Sequence, residues 1–376
     1  MKTVCFVVTE HPIKDARIFH REAKSLARAG YNVTILSPSQ ATEREGVPFL
    51  IDEITIVPYV PDRLKDDQHR SFELRQNKTP ESSLVRLGIK VRADLYHAHE
   101  MESLHAAVFM KRAVSDARLV FDSHELFVDH RSLTSIRRRE QKEAWLRQML
   151  EETDAIITVS PSIAEYYKNL SFKGPVEVIV NSPPFTSFVH KKKTSHRTIG
   201  YVGMVTKDKG NWQKLVDIAE QSEYSIKIIG GAPRHETELL VPDHLHDRIE
   251  MTGWVDYDHI PSELEDVDIG WIDMNTKRSM NRYFSLPNKF FSFLDAGVPV
   301  IVNDCLEMRK VIEKERCGIV IPMENPAATD YANGMLSVSD DQLQRMGENA
   351  RRYMQREMSW DHMERRLLAL YETLLV

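Results

Sequence analysis

Short apolar runs alternate with amphipathic stretches from the start of this chain. Val4–Thr9 reads as a strand, and Ile18, Phe19, Ala23, Leu26 and Ala27 follow at helical spacing. Gly30 stops that helix, and Val33–Leu36 opens a second strand. The rhythm returns at Asp94–His99, Arg118–Phe121 and Ala155–Val159. Continuous apolar runs suit parallel strands whose two faces are both covered by helices. The first half therefore predicts an open, doubly wound α/β sheet.

The texture changes around Asn181. Asn181-Ser182-Pro183-Pro184-Phe185 leads into the polar, basic segment His190–Arg197, which has no apolar period and reads as a solvated linker. Strand patterns resume at Ile199–Gly203, Ser225–Gly231, Ile249–Thr252, Asp268–Ile272, Val298–Val302 and Gly318–Ile321, with a helix from Trp212 to Ala219. We expect two Rossmann-like domains facing a cleft: residues 1–185, a linker at 186–197, and residues 198–356. Residues 357–376 form a last amphipathic helix, with Met363, Leu367, Leu368, Leu370, Tyr371 and Leu374 as its apolar set. Pattern alone leaves open whether it packs on its own domain or braces the first.

Composition narrows this picture modestly. The 376 residues carry a formal net charge of -6, with no global basic field to attract nucleic acid. Three scattered cysteines, Cys5, Cys305 and Cys317, form neither a disulfide framework nor a zinc cluster, so a reducing cytoplasm is expected. No apolar run approaches the ~20 residues of a membrane span. The basic helix following Ile136, with Arg137–Arg139, Lys142 and Trp145, keeps peripheral contact with an anionic membrane open. Oligomeric state is not legible.

Ligands of open α/β sheets gather beyond the carboxyl ends of the strands. In the first half those ends carry Glu10-His11, His97-Ala98-His99-Glu100 and Asp122-Ser123-His124-Glu125. A carboxylate beside an imidazole orients it or raises its basicity, which general acid–base work requires. His97 and His99 share one strand face without making a metal site by themselves, and no metal is expected. In the second half the strand ends carry glycine: Gly203, Lys207-Asp208-Lys209-Gly210, Gly230-Gly231 and Gly253. Glycine lets backbone approach a phosphate and lysine supplies the counter-charge. With Asn281–Asn288 before a helix, these turns point to a nucleotide diphosphate. Neither a Walker loop nor a Gly-x-Gly-x-x-Gly turn follows the first strand, which disfavours phosphoryl transfer and dinucleotide redox chemistry.

These residues resemble the retaining family 4 glycosyltransferases of the GT-B fold. The resemblance spans nearly the whole chain. It rests on Asp94–Glu100, Asp154–Ser160, Tyr201-Val202-Gly203 with Lys209-Gly210, Pro287–Phe291 leading to Ala296–Ile301, and Ser359-Trp360. It implies a terminal helix that crosses back to the first domain, a UDP- or GDP-sugar donor, and no cofactor or metal. Carried over residue by residue, it implies His99 near the transferred sugar and Lys209 against the leaving diphosphate. Gly203, Lys207, Gly210, Gly230, Gly231, Arg282, Ser285, Asn288 and Ser292 then face the donor, and His11, Glu100, His124 and Glu125 the acceptor side. The implied reaction is front-face attack with retention, using a glycan, lipid-linked or protein acceptor and a hexosyl or N-acetylhexosaminyl donor.

The chain departs from the family pattern at its donor motif. Two glutamates usually stand eight positions apart, where this chain has Phe284 and Ser292. Met204 replaces the arginine that commonly follows the first glycine turn, and His11–Asp15 replaces a glycine-rich loop. Losing a ribose carboxylate and a phosphate cation removes donor stabilisation, with Lys207, Arg282 or Asp295 as candidate substitutes. The alternative reading is therefore a catalytically degenerate GT-B protein that acts as a binding or regulatory partner. A sugar-nucleotide epimerase or a phosphorylase is a third reading.

Overall fold

A computed structural model describes the chain except residues 41–42, 62–66, 78, 130–134, 188–196, 207–209, 232–240 and 278, and the side chains of 67 and 68. The chain divides into two compact units, Met1–Val180 with Met363–Val376, and Asn181–His362.

Unit 1 is built on β1 (Thr3–Val7), β2 (Asn32–Pro38), β3 (Phe49–Ile51), β4 (Ile54–Tyr59), β5 (Leu95–His99), β6 (Arg118–Ser123), β7 (Ala155–Thr158) and β8 (Val176–Val178). They form one sheet in the order β3-β4-β2-β1-β5-β6-β7-β8. Only the β3/β4 pair is antiparallel. The order reverses direction at β1, which pairs with β2 on one side and β5 on the other. Beyond such a switch point, strand ends splay apart and leave room for ligand. β5 is buried along its whole length, as the apolar run Leu95–Ala98 demands. Strands β3, β4 and β8 were not anticipated: β3 and β8 are three residues each, and Pro58 interrupts the apolar reading of β4.

The helix after β1 begins as a wide π turn, Ile18–Ala23, and continues as an α-helix, Lys24–Arg28. The Glu22 amide bonds to the Arg17 carbonyl five residues back, at 2.9 Å. At 3.6 residues per turn those two side chains would diverge by about 140°. The wider turn brings both inward, with Arg17 Nε 2.9 Å from Glu22 Oε1.

Unit 2 contains β9 (Thr198–Met204), β10 (Ser225–Gly231), β11 (Ile249–Gly253), β12 (Ile269–Ile272), β13 (Val300–Asn303) and β14 (Gly318–Ile321). All six are parallel, in the order β11-β10-β9-β12-β13-β14, with the switch point between β9 and β12. Its core joins Ile199, Ile226, Ile228, Ile269 and Trp271 from the sheet to Leu215, Ile218 and Tyr331 from helices.

The terminal helix spans Trp360–Leu374, and from Met363 onward the chain belongs to unit 1. There Met363 Sδ accepts from the Val180 amide, Arg366 donates to the Val178 carbonyl, and Glu364 pairs with Arg28. The basic helix Ile136–Leu150 turns Trp145, Leu146, Met149 and Leu150 into unit 1, leaving Ile136 as its exposed large apolar residue. Its apolar set is thus spent on the core. All three cysteines are free and buried. Among the described residues no helix is long and apolar enough to cross a membrane.

Candidate functional site

Each unit gathers charged or glycine-rich residues at the carboxyl ends of its central strands. In unit 2 the β9/β10 register sets Gly203 beside Gly230 and Met204 beside Gly231. Gly230 has φ +135°, and a Cβ there would stand 2.2 Å from the Gly203 carbonyl oxygen. Two backbones thus touch where a ligand can approach them without meeting side chains.

Over this floor lies Lys289, in the first turn of the helix Asn288–Ala296. Its Nζ is 3.8 Å from the centroid of the Tyr201 ring, and 3.6 Å from where a Cβ of Gly203 would lie. Among the described residues no carboxylate pairs with it and no hydrogen bond reaches it. Burial pushes its pKa down to about 7, since an ammonium that has lost part of its hydration and has no anion beside it favours its neutral form. Lys289 stands inside the Pro287–Phe291 stretch, yet sequence reasoning did not select it as a site residue. A lysine in the first turn of a helix reads as solvated, and only the approach to Tyr201 and Gly203 reveals its placement.

The remaining donor-side candidates spread around this point. Gly210 sits over the Tyr201 hydroxyl, 2.8 Å from its own would-be Cβ. Lys207 and Lys209 lie outside the described residues. Arg282 is exposed and donates to the Asn275 carbonyl at 3.4 Å, and the Ser285 hydroxyl donates to the Arg282 carbonyl at 2.9 Å. Asn288 is exposed at the helix start, whereas the Ser292 hydroxyl turns back onto the Asn288 carbonyl at 3.2 Å. Asp295, weighed as a substitute carboxylate, accepts from Thr186 Oγ1 at 2.8 Å and pairs with Arg351, which ties it to the chain entering unit 2. Asp273, just after β12, pairs with Lys214 at 2.7 Å and accepts from Tyr331 at 2.7 Å.

In unit 1 the three predicted strand ends converge. His11 Nε2 lies 2.8 Å from Glu100 Oε1, and His11 Nδ1 3.5 Å from Asp15 Oδ2. Burial works against a charged His11, but its contacts to Asp15 and Glu100 prevail and push it up to about 10. Glu100 holds φ +77°, a left-handed backbone that a non-glycine residue adopts at a cost of about 1–3 kcal/mol. That turn between β5 and the helix Glu100–Ala113 aims the carboxylate at His11.

Behind this outer group is a second, fully buried one. Asp122 Oδ2 accepts from Arg17 Nε at 2.8 Å and lies 3.1 Å from His124 Nε2. Burial opposes ionisation of Asp122, but Arg17 and His124 outweigh it and hold the carboxyl well below the usual range. His99 Nδ1 lies 3.1 Å from His124 Nε2, so His124 stands between the buried His99 and the outer His11–Glu100 pair. Burial first, and His97 second, push His99 well below an ordinary histidine. His97 and His99 stack at 4.4 Å, both with no exposed surface. Glu125 follows on the loop after β6, where its carbonyl accepts from the Ser123 hydroxyl at 2.7 Å. Arg17, Glu22 and Asp15 were not selected from sequence: the first two point inward only because the π turn rotates them.

The chain is similar in family and fold to known proteins. Residues 16–182 match the family model described as Glycosyltransferase Family 4, and residues 196–341 the one described as Glycosyl transferases group 1. No curated protein matches the chain. Among solved structures, the sucrose-phosphate synthase of Thermosynechococcus elongatus superposes with a TM-score of 0.76 at 16% identity, covering 100% of this chain and 99% of that one. Anabaena HepE, solved in complex with UDP-glucose, gives 0.71 at 13% identity, covering 99% and 100%. A glycosyltransferase from Rickettsia africae gives 0.68 at 15% identity, covering 100% and 98%.

Proposed function

The chain belongs to the family 4 glycosyltransferases of the GT-B fold, and from that premise we propose that unit 2 holds a UDP- or GDP-sugar while unit 1 holds the acceptor. The observation that carries the donor half is Lys289, a cation at a glycine-lined strand end with no counter-anion among the described residues. A diphosphate supplies the two things this site lacks: negative charge, and oxygen acceptors for backbone amides near Gly203 and Gly230. Lys289 takes the place that Met204 leaves without an arginine, and Lys209 adds a second cation. Anabaena HepE, of like fold, was solved with UDP-glucose.

The transfer proceeds with retention. The bond from the anomeric carbon to the diphosphate oxygen breaks while the acceptor oxygen bonds to the same face. The acceptor proton passes to the departing phosphate, whose charge Lys289 and Lys209 stabilise without a metal ion at the diphosphate. On the acceptor side, His11, Glu100 and His124 contact the incoming hydroxyl, with Glu125 on the neighbouring loop. His99, which has no exposed surface, is a positioning residue that acts through His124. The acceptor is a glycan, a lipid-linked sugar or a protein, and the enzyme works in the cytoplasm.

The test is release of UDP or GDP from a panel of nucleotide sugars with acceptors of those three classes, the product anomer being read by NMR. Lys289→Met should weaken donor binding and lower turnover together. Unchanged donor affinity in that variant overturns its role, and an inverted anomer overturns retention. A second reading, a binding or regulatory GT-B partner, draws on Ser292, whose hydroxyl is bonded to its own helix instead of offering a carboxylate. Nucleotide binding without turnover on any donor supports that reading.

A further inference from the structure

We propose that Glu22, His97 and His99, with Asp122 beside them, form a buried binding site in unit 1 for a divalent transition metal of the zinc class. All four side chains have no exposed surface, and each offers one ligand atom within 4.8 Å of the other three. Among the described residues, Glu22 Oε2, His97 Nε2 and His99 Nε2 have no hydrogen-bond partner. Buried polar atoms are ordinarily satisfied, so three orphans converging on one point mark a missing partner.

The geometry suits a metal better than a water. Glu22 Oε2 lies 3.9 Å from both His97 Nε2 and His99 Nε2, and His97 Nε2 lies 3.7 Å from Asp122 Oδ2. These are three of the six edges, and a tetrahedron whose edges all matched them would have its centre about 2.3 Å from each corner, close to the ~2.0–2.2 Å of zinc to imidazole nitrogen or carboxylate oxygen. The outer contacts are those that orient metal ligands. The Tyr371 hydroxyl lies 2.6 Å from His97 Nδ1, and His99 Nδ1 lies 3.1 Å from His124 Nε2 and 3.3 Å from Asp122 Oδ2, which leaves both Nε2 atoms for the ion. The Phe6 ring packs edge-on against both imidazoles at 4.7 and 4.9 Å, closing the site.

Charge points the same way. Arg17 bridges Asp122 Oδ2 and Glu22 Oε1, so one cation serves two buried carboxylates, and Glu22 Oε2 stays available. A divalent ion supplies the remaining positive charge. Two imidazole nitrogens and two carboxylate oxygens match the zinc class better than calcium or magnesium, which prefer all-oxygen shells. With four protein ligands and no access, the ion holds β5, β6 and the first helix together and takes no part at the diphosphate. This goes beyond the transferase reading and does not depend on it.

The full-length chain is purified without chelator and its metal content measured by plasma mass spectrometry. It is then stripped and titrated with Zn2+ and with Co2+. One ion per chain is expected, with visible d–d bands for Co2+ and a thermal midpoint several degrees lower after stripping. Glu22→Gln and His97→Gln should lose the ion, and His11→Gln should keep it. If those two variants do not fold, X-ray absorption on the wild-type Co2+ protein decides, two imidazole nitrogens being expected. Four outcomes overturn the site: no ion from any source, full occupancy in Glu22→Gln, loss of the ion in His11→Gln, or a Co2+ shell without imidazole. The first means that a shared proton balances Glu22 and Asp122 instead. The third places the ion in the His11, Glu100 and His124 group. None of these readouts uses turnover, so a chain that transfers no sugar leaves the result standing.

Discussion

The Lys289 ammonium rests 3.8 Å from the centre of the Tyr201 ring. The ring face offers a weak electrostatic contact worth about 0.5–2 kcal/mol, less than the hydration the ammonium gives up. The free protein therefore holds Lys289 near its titration midpoint at about pH 7. A bound diphosphate raises that pKa, so binding takes up a proton above pH 7. UDP affinity should fall as pH rises from about 7 toward the ordinary lysine range, by up to about tenfold per unit. Calorimetry in buffers of different ionisation enthalpy reads the proton directly. Lys289→Arg should remove the break, and Lys289→Met should lose about 1.5–3 kcal/mol of affinity at neutral pH.

Gly230 and Gly231 are neighbours with opposite expectations. Gly230→Ala forces a Cβ to 2.2 Å from the Gly203 carbonyl at φ +135°, whereas a Cβ on Gly231 first meets Gly253 Cα at 3.9 Å. We expect Gly230→Ala to destabilise unit 2 by about 2–3 kcal/mol or to shift the strand end, and to weaken nucleotide binding. Gly231→Ala should stay within about 1 kcal/mol of wild type. Urea denaturation and UDP titration of the pair separate fold from site.

Tyr371→Phe removes the hydroxyl that meets His97 Nδ1 at 2.6 Å inside unit 1. An orphaned buried imidazole nitrogen costs about 1–3 kcal/mol. Chemical denaturation should show that loss with little change in slope, because the ring itself still fills its place.

His11 is held charged by Asp15 and Glu100, its pKa raised to about 10. A raised folded pKa contributes stability that is complete below the unfolded value of about 6.5 and fades as pH climbs through 10. His11→Gln should therefore cost about 1.5–3 kcal/mol at pH 6 and little above pH 10, read as the gap between two pH–stability curves. A constant gap would mean that His11 acts by packing alone.

Much of the fold was legible because the central strands are mostly apolar runs bounded by turn signals and separated by amphipathic stretches. Ile226–Ile229 and Tyr96–Ala98 leave little else for the chain to form. The strand-end rule then placed His11, His99, Glu100 and His124 in one neighbourhood. Residues whose direction depends on local winding were not legible. Glu22 and Arg17 look like ordinary helix-surface charges until the five-residue turn rotates them toward Asp122 and His97 on β6 and β5. Lys289 was hidden because its neighbours in space, Tyr201 and Gly203, lie on β9, more than 80 positions earlier in the chain.

The path of the chain through unit 1 also has a temporal side. Residues 1–180 are completed by Met363–Val376, whose buried Tyr371 stands 274 positions after the histidine it meets. During synthesis the first unit must wait, with His97 and its neighbours incompletely enclosed, while all of unit 2 is made. Unit 1 is therefore completed only after unit 2 has been translated.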